Sequence, residues 1–114
     1  MSRHVIEVRL REMVTIYGVH GKIELFLPAS HSLKERRRVI NSVKSRLQST
    51  FNISVVDSSD DNLWQRATLG FAMVFSNFNG IEETLEAIDR HLGNYSDFEV
   101  IYFEYKYLRM EYEK

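Results

Sequence analysis

The sequence predicts an α+β domain whose elements run strand, helix, strand, strand, helix, strand. Four strands of this order make an antiparallel sheet with two helices on one face. Three observations carry the prediction. Apolar residues alternate with polar ones in the extended stretches, they recur at helical spacing in two others, and clusters of turn-formers separate the stretches.

Residues 14–27 read as the first strand, because Ile23, Leu25 and Leu27 alternate with Lys22, Glu24 and Phe26. Gly18 and Gly21 weaken its upstream half and predict a bulge or bend there. The run stops at Pro28, the single proline of the chain. The first helix is predicted over 32–50. Ser32 and Glu35 have the spacing of a capping box, and Val39, Ile40, Val43 and Leu47 form the stripe to be buried. Lys34, Arg36, Arg37 and Arg38 crowd the first turns, where cations oppose the helix dipole. That placement asks for a reason outside helix stability.

Ile53, Val55 and Val56 predict a short second strand, and Asp57-Ser58-Ser59-Asp60-Asp61-Asn62 a hairpin loop. A third strand is predicted from Leu63 to Phe75, buried on both faces because Phe71, Met73 and Phe75 alternate with apolar Ala72 and Val74. Asn77, Asn79 and Gly80 break the chain before a second helix with Ile81, Leu85, Ile88 and Leu92 as its apolar stripe, and Gly93 and Asn94 stop it. The last strand, 98–110, is expected to carry Ile101, Phe103, Tyr105 and Tyr107 on one face. Residues 1–12 form a short, charged extension in which Ile6, Val8 and Leu10 alternate with Glu7 and Arg9. It is expected to add an edge strand, exchange with a partner chain or fray. Strand directions then place the loops Pro28–Ser32, Asp57–Asn62 and Gly93–Asp97 at one end of the domain.

Composition narrows the function classes. Residues 13–114 suit a single domain, and the absence of cysteine excludes disulfides, thiol catalysis and cysteine-ligated zinc. The longest strictly apolar run, Phe71 to Phe75, is too short to cross a bilayer, and residues 1–12 lack a signal-peptide core. A soluble cytoplasmic protein without membrane association is expected. The net charge of −1 conceals a split. Lys34, Arg36, Arg37, Arg38, Lys44 and Arg46 make residues 33–48 basic, whereas Glu82, Glu83, Glu86, Asp89, Asp97 and Glu99 make residues 82–99 acidic. Such a split gives one positive and one negative region, either as solvated faces or as docking surfaces.

Two segments carry a family resemblance. Pro28-Ala29-Ser30-His31-Ser32-Leu33-Lys34-Glu35-Arg36-Arg37-Arg38 resembles the signature of the YlxP-like bacterial proteins, a domain-of-unknown-function family. Asn52-Ile53-Ser54-Val55, then Leu63-Trp64-Gln65-Arg66-Ala67 and Leu69-Gly70, resemble its second block. The likeness runs from about Met13 to Arg109. It implies a ferredoxin-like fold, in agreement with the element order, and genes often found beside translation and ribosome-maturation factors. It implies no established enzyme activity. Two departures stand out: members commonly start near Met13, and many carry a histidine where this chain has Asp60.

Four candidate sites follow. Lys34, Arg37 and Arg38 share an exposed helix face, with Lys44 further along and Arg66 across the hairpin. Such side chains neutralise phosphates without reading sequence. The free N–H groups beside His31 and Ser32 form an anion-binding candidate. Trp64 at the hairpin mouth stacks on a base, anchors a partner chain or caps the core, and strand alternation would put Gln65 on the side opposite Trp64 and Arg66. Phe26, Phe71, Met73, Phe75 and Tyr102 form a candidate dimer face on the open side of the sheet. Gly70–Phe75 also resembles the aromatic strand of RNA-recognition domains, although Leu69 and Ser76 depart from that motif and a buried strand explains the run more simply.

No phosphate loop, nucleophile elbow or His-x-x-x-His pair is present, and Asp57, Asp60 and Asp61 lack the glycine and distal glutamate of a calcium loop. No catalytic residue, metal ligand or cofactor is assigned. The expected function is a non-catalytic protein that binds RNA or a ribosomal particle and forms a homodimer. The alternative is a homo-oligomeric protein-interaction module that binds no nucleic acid.

Overall fold

The computed structural model describes residues 12–114, so the extension expected over residues 1–12 lies outside the described residues except for Glu12. The elements are β1 (Met13–Phe26), α1 (Leu33–Thr50), β2 (Ser54–Asp57), β3 (Arg66–Phe75), α2 (Asn79–Leu92) and β4 (Glu99–Glu113). All pairings are antiparallel in the order β2-β3-β1-β4, which is the ferredoxin-like arrangement expected from the sequence.

One face of the sheet meets both helices in a single core. Val19, Ile23 and Leu25 of β1, Ala67, Leu69, Phe71 and Met73 of β3, and Val55 of β2 are buried there. The predicted stripes supply the other layer: Ile40, Val43 and Leu47 from α1, and Ile81, Leu85, Ile88 and Leu92 from α2. Period-two and period-3.6 patterns thus meet face to face, as alternation and helical recurrence require.

This geometry corrects the reading of β3. It is buried on one face only: Phe71 and Met73 lie in the core and Phe75 is half-buried against it, whereas Ala72 and Val74 face solvent. Phe71, Met73 and Phe75 therefore belong to the helix side and are removed from the open-face set. Register is the cause, because Phe71 pairs with Gly21 and Met73 with Val19, whose parity also points at the helices. Phe26, half-buried, and exposed Tyr102 do lie toward the open face, in register with Arg66 and Glu24.

β3 also starts at Arg66, three residues later than expected. Side chains of the preceding loop bond its own backbone instead of leaving it for the sheet. Asp57 Oδ1 accepts from Ser59 N–H at 3.0 Å, Asp60 Oδ1 from Asn62 N–H at 2.9 Å, and the Asp60 carbonyl from Leu63 N–H at 3.1 Å.

The bulge expected near Gly18 and Gly21 lies elsewhere, between Glu24 and Leu25 in the β1–β4 pairing. There Leu25 is opposite Val100, so Val100 packs against the core, and Ile101, expected on one face with Phe103, Tyr105 and Tyr107, is exposed. Gly21 instead permits a close approach. A Cβ on it would collide with the Glu104 carbonyl and come within 2.8 Å of Tyr105 Cβ and 2.9 Å of Phe71 Cε1.

At the other end of the sheet β1 and β4 outrun β3. Tyr17 is the first β1 residue opposite β3, while Met13–Ile16 pair only with Met110–Glu113. The pair continues to a bond from Lys114 N–H to the Glu12 carbonyl at 3.0 Å. A two-stranded ribbon therefore projects beyond the helix-covered body. No helix among the described residues is long and apolar enough to cross a membrane.

Candidate functional site

The three loops traced to one end of the domain do meet there, Ser30 lining one cavity with Asn62 and another with Asp97, and Arg36 ties α1 to the β2–β3 loop. It sits at α1 spacing with Ile40, Val43 and Leu47, on the buried stripe, and is 1% exposed. Its Nη1 donates to the Asp60 carbonyl at 2.7 Å and the Leu63 carbonyl at 2.6 Å, and its Nη2 reaches Asp61 Oδ1 at 3.2 Å. A planar guanidinium can hold several acceptors in one loop, which an ammonium cannot do with the same geometry. Arg36 is thus a structural clamp from α1 to the β2–β3 loop. It stood in the basic cluster of the sequence, but its i, i+4, i+7 spacing to the apolar stripe was the signal that it points inward.

The clamp organises Trp64. Leu63, on one side, gives its carbonyl to Arg36, and Gln65, on the other, accepts from Leu27 N–H at 2.8 Å through its carbonyl. The Gln65 Nε2 also donates to the Pro28 carbonyl at 3.0 Å. Trp64 itself remains 53% exposed. Because residues 63–65 are loop and not strand, alternation does not separate their side chains. Trp64, Gln65 and Arg66 line one cavity of about 550 Å³ together with Phe26, His31 and Leu63. The expected separation of Gln65 from its two neighbours is therefore corrected. Trp64 does not cap the core.

The helix start is capped as predicted. Ser32 Oγ accepts from Glu35 N–H at 3.1 Å, and Glu35 Oε2 accepts from His31 N–H at 2.6 Å. These bonds engage within the chain two groups of the anion-binding candidate at His31 and Ser32. The Ser32 hydroxyl oxygen is engaged in capping, and a carboxylate already stands where an anion would bind the His31 amide.

The basic face divides into paired and unpaired cations. Arg37 lies 3.5 Å from Asp61, and Arg66 lies 2.9 Å from Glu24 on the open face. Lys34 and Arg38 are exposed, Lys44 is half-buried, and these three meet no carboxylate among the described residues within ion-pair distance. Arg46 lies over the Tyr95 ring, 5.5 Å from its centroid, on the side of α1 toward the Gly93–Asp97 loop.

A second cavity, about 470 Å³, runs between the acidic flank of α2 and the aromatic side of β4, with Glu82, Glu86 and Asp89 facing Phe103, Tyr105 and Tyr107. Desolvation, then the charges of Tyr105 and Glu82, raise the Tyr107 phenol above its ordinary value. No cluster of three or more metal-ligating side chains occurs among the described residues.

Residues 19–105 match the family described as "Protein of unknown function (DUF503)". The chain is 31% identical over 79 residues to the "Uncharacterized protein YlxP" of Bacillus subtilis (strain 168), a stretch covering 69% of this chain and 86% of that protein. The chain belongs to the DUF503 family.

Proposed function

We propose that this member of the family binds single-stranded RNA, free or within a ribosomal particle, through the end of the domain that carries Trp64 and the basic face of α1. One observation carries the reading: a half-exposed tryptophan between two tethered neighbours, beside His31, Gln65 and Arg66. An aromatic ring fixed in advance loses little freedom on contact, and stacking of one base on it contributes about 1–3 kcal/mol whatever the base. Lys34 and Arg38 are free to neutralise phosphates, with Lys44 further along the helix. Arg37 and Arg66 contribute only by leaving Asp61 and Glu24, so they are the weaker pair.

Because Trp64 is the single tryptophan of the chain, its fluorescence reports binding directly. Titration with a single-stranded oligoribonucleotide should quench it, with an affinity that falls steeply as salt rises. Lys34→Glu with Arg38→Glu should lower affinity at least about tenfold and flatten the salt dependence. Trp64→Ala, followed by mobility shift because it removes the fluorophore, should weaken binding without changing the salt slope. Unaltered fluorescence together with no mobility shift at low salt would remove the reading. A second reading, a module for protein contacts alone, is favoured by the apolar ribbon of β1 and β4. Recovery of the same proteins from lysate after ribonuclease treatment would support it over RNA binding.

A further inference from the structure

We infer that the outer edge of β4 pairs with the same edge of a second copy, antiparallel and centred on Met110. β4 is an edge strand of 15 residues, and among the described residues no strand lies outside it. It contains no proline, and its one bulge, opposite Glu24 and Leu25, lies far from its C-terminal half. A long exposed edge of this kind offers a row of unpaired N–H and C=O groups to another strand.

The faces of the ribbon show what kind of strand fits. On the open face Ile16 is opposite Met110, Val14 opposite Tyr112, and Gly18 opposite both Leu108 and Val74. Ile16, Val74, Leu108, Met110 and Tyr112 are 40–67% exposed. The same face further along is polar, with His20, Lys22, Glu104 and Lys106. On the other face of the ribbon Arg109 pairs with Glu111 at 2.9 Å in full view of solvent. The ribbon is thus amphipathic, with an apolar side that the described residues leave uncovered.

Its sequence is self-complementary about Met110. With the two-fold axis there, Arg109 of each copy faces Glu111 of the other, so the four charges alternate. Leu108 faces Tyr112 on the open side and Met110 faces its own copy, joining the two apolar patches. Lys106 faces Lys114 only at the solvated ends of the overlap. Opposite charges and aromatic–aliphatic pairs across strands each contribute roughly 0.2–1 kcal/mol. Pairing also removes a weakness of the fold, since an isolated two-stranded ribbon is marginal in water. Adding the partner's ribbon makes it four-stranded, β1-β4-β4-β1. The other self-complementary register, centred on Tyr105 with Glu104 opposite Lys106, brings the two α2 flanks together. There Glu82, Glu86 and Asp89 of both copies would repel.

The chain lacks cysteine, so single substitutions report the register cleanly. The full-length protein at about 50 µM should sediment as a dimer. Met110→Cys, at a solvent-exposed position, should link to its own copy in high yield with a short thiol cross-linker, because directly opposed residues stand about 5 Å apart at Cβ. Tyr105→Cys should not, its two copies lying some ten residues apart along the pair, and Val74→Cys should not either. Arg109→Glu should lower the dimer fraction, and Arg109→Glu with Glu111→Arg should restore it. A monomer at that concentration overturns the inference. So does a dimer linked through Tyr105→Cys, which is the other register, or through Val74→Cys, which is open face against open face.

Discussion

Replacing Arg36 with methionine removes the clamp while nearly preserving its volume and its place on the α1 stripe. Two bonds from a charged donor to the Asp60 and Leu63 carbonyls, at 2.7 and 2.6 Å, are lost with the weaker contact to Asp61. Bonds to charged groups contribute about 1.5–3 kcal/mol each in mutational series. Against that loss stands the relief of not burying a guanidinium, whose Nε finds no acceptor among the described residues. Asp61 is 69% exposed, so its carboxylate returns to water at little cost when Arg36 is gone. The net expectation is a loss of about 2–3 kcal/mol, or about 8–15 °C in Tm for a domain of this size. Asp61→Asn should cost under about 1 kcal/mol, since both carbonyl bonds survive it. Urea unfolding gives both numbers, and acrylamide quenching of Trp64 gives the mechanism. With the loop released, quenching in Arg36→Met should rise under native conditions, while far-UV circular dichroism stays unchanged. A variant within about 0.5 kcal/mol of the parent would show that Arg36 does not hold the loop. Equal losses in Arg36→Met and Asp61→Asn would show that the exposed ion pair, and not the carbonyl bonds, is the link.

Two glycines on β1 should respond in opposite ways. Gly21→Ala forces a Cβ against the Glu104 carbonyl, which is backbone and cannot swing away, and should cost at least about 1–3 kcal/mol in urea unfolding. Gly18→Ala meets its nearest neighbour at 3.5 Å, an ordinary contact, and should be neutral or slightly stabilising in the same assay. Ser32→Ala removes the acceptor for Glu35 N–H and should lower stability by about 1 kcal/mol, whereas Ser32→Asp should keep most of it.

Much of the fold was legible because its signals are local. Ser32 and Glu35 announce the start of α1, and the stripes through Ile40 and Ile88 place both helices on a core, since each depends on residues a turn apart. Direction along the chain was enough to gather three loops at one end. The candidate site was less legible. Lys34 and Arg38 remained exposed as read, but Arg36 turned inward, and Arg37 and Arg66 found the carboxylates of Asp61 and Glu24. Those partners lie more than twenty residues away in sequence, so composition shows the charges and not their pairing. Likewise Leu63-Trp64-Gln65 has the pattern of a strand start. Bonds from Asp57, Asp60 and Arg36 make it a fixed loop instead, and that alone puts Trp64, Gln65 and Arg66 in one cavity.

By itself, then, the sequence determined the order of elements, both helix stripes, the cap at Ser32 and membership in a family through the two blocks around His31 and Trp64. Periodicity and capping act over a few residues and survive any tertiary context that forms at all. Only the tertiary structure decided which face of β3 is the core. A strand apolar on both sides gives no parity of its own, and the pairing of Phe71 with Gly21 supplies it. It also decided that β1 and β4 outrun β3 into an amphipathic ribbon, because the length of a sheet is set by where the neighbouring strand ends. And it decided that one arginine of the basic cluster is a clamp while its neighbours face water, since burial depends on what packs against α1 and not on the charge that α1 carries.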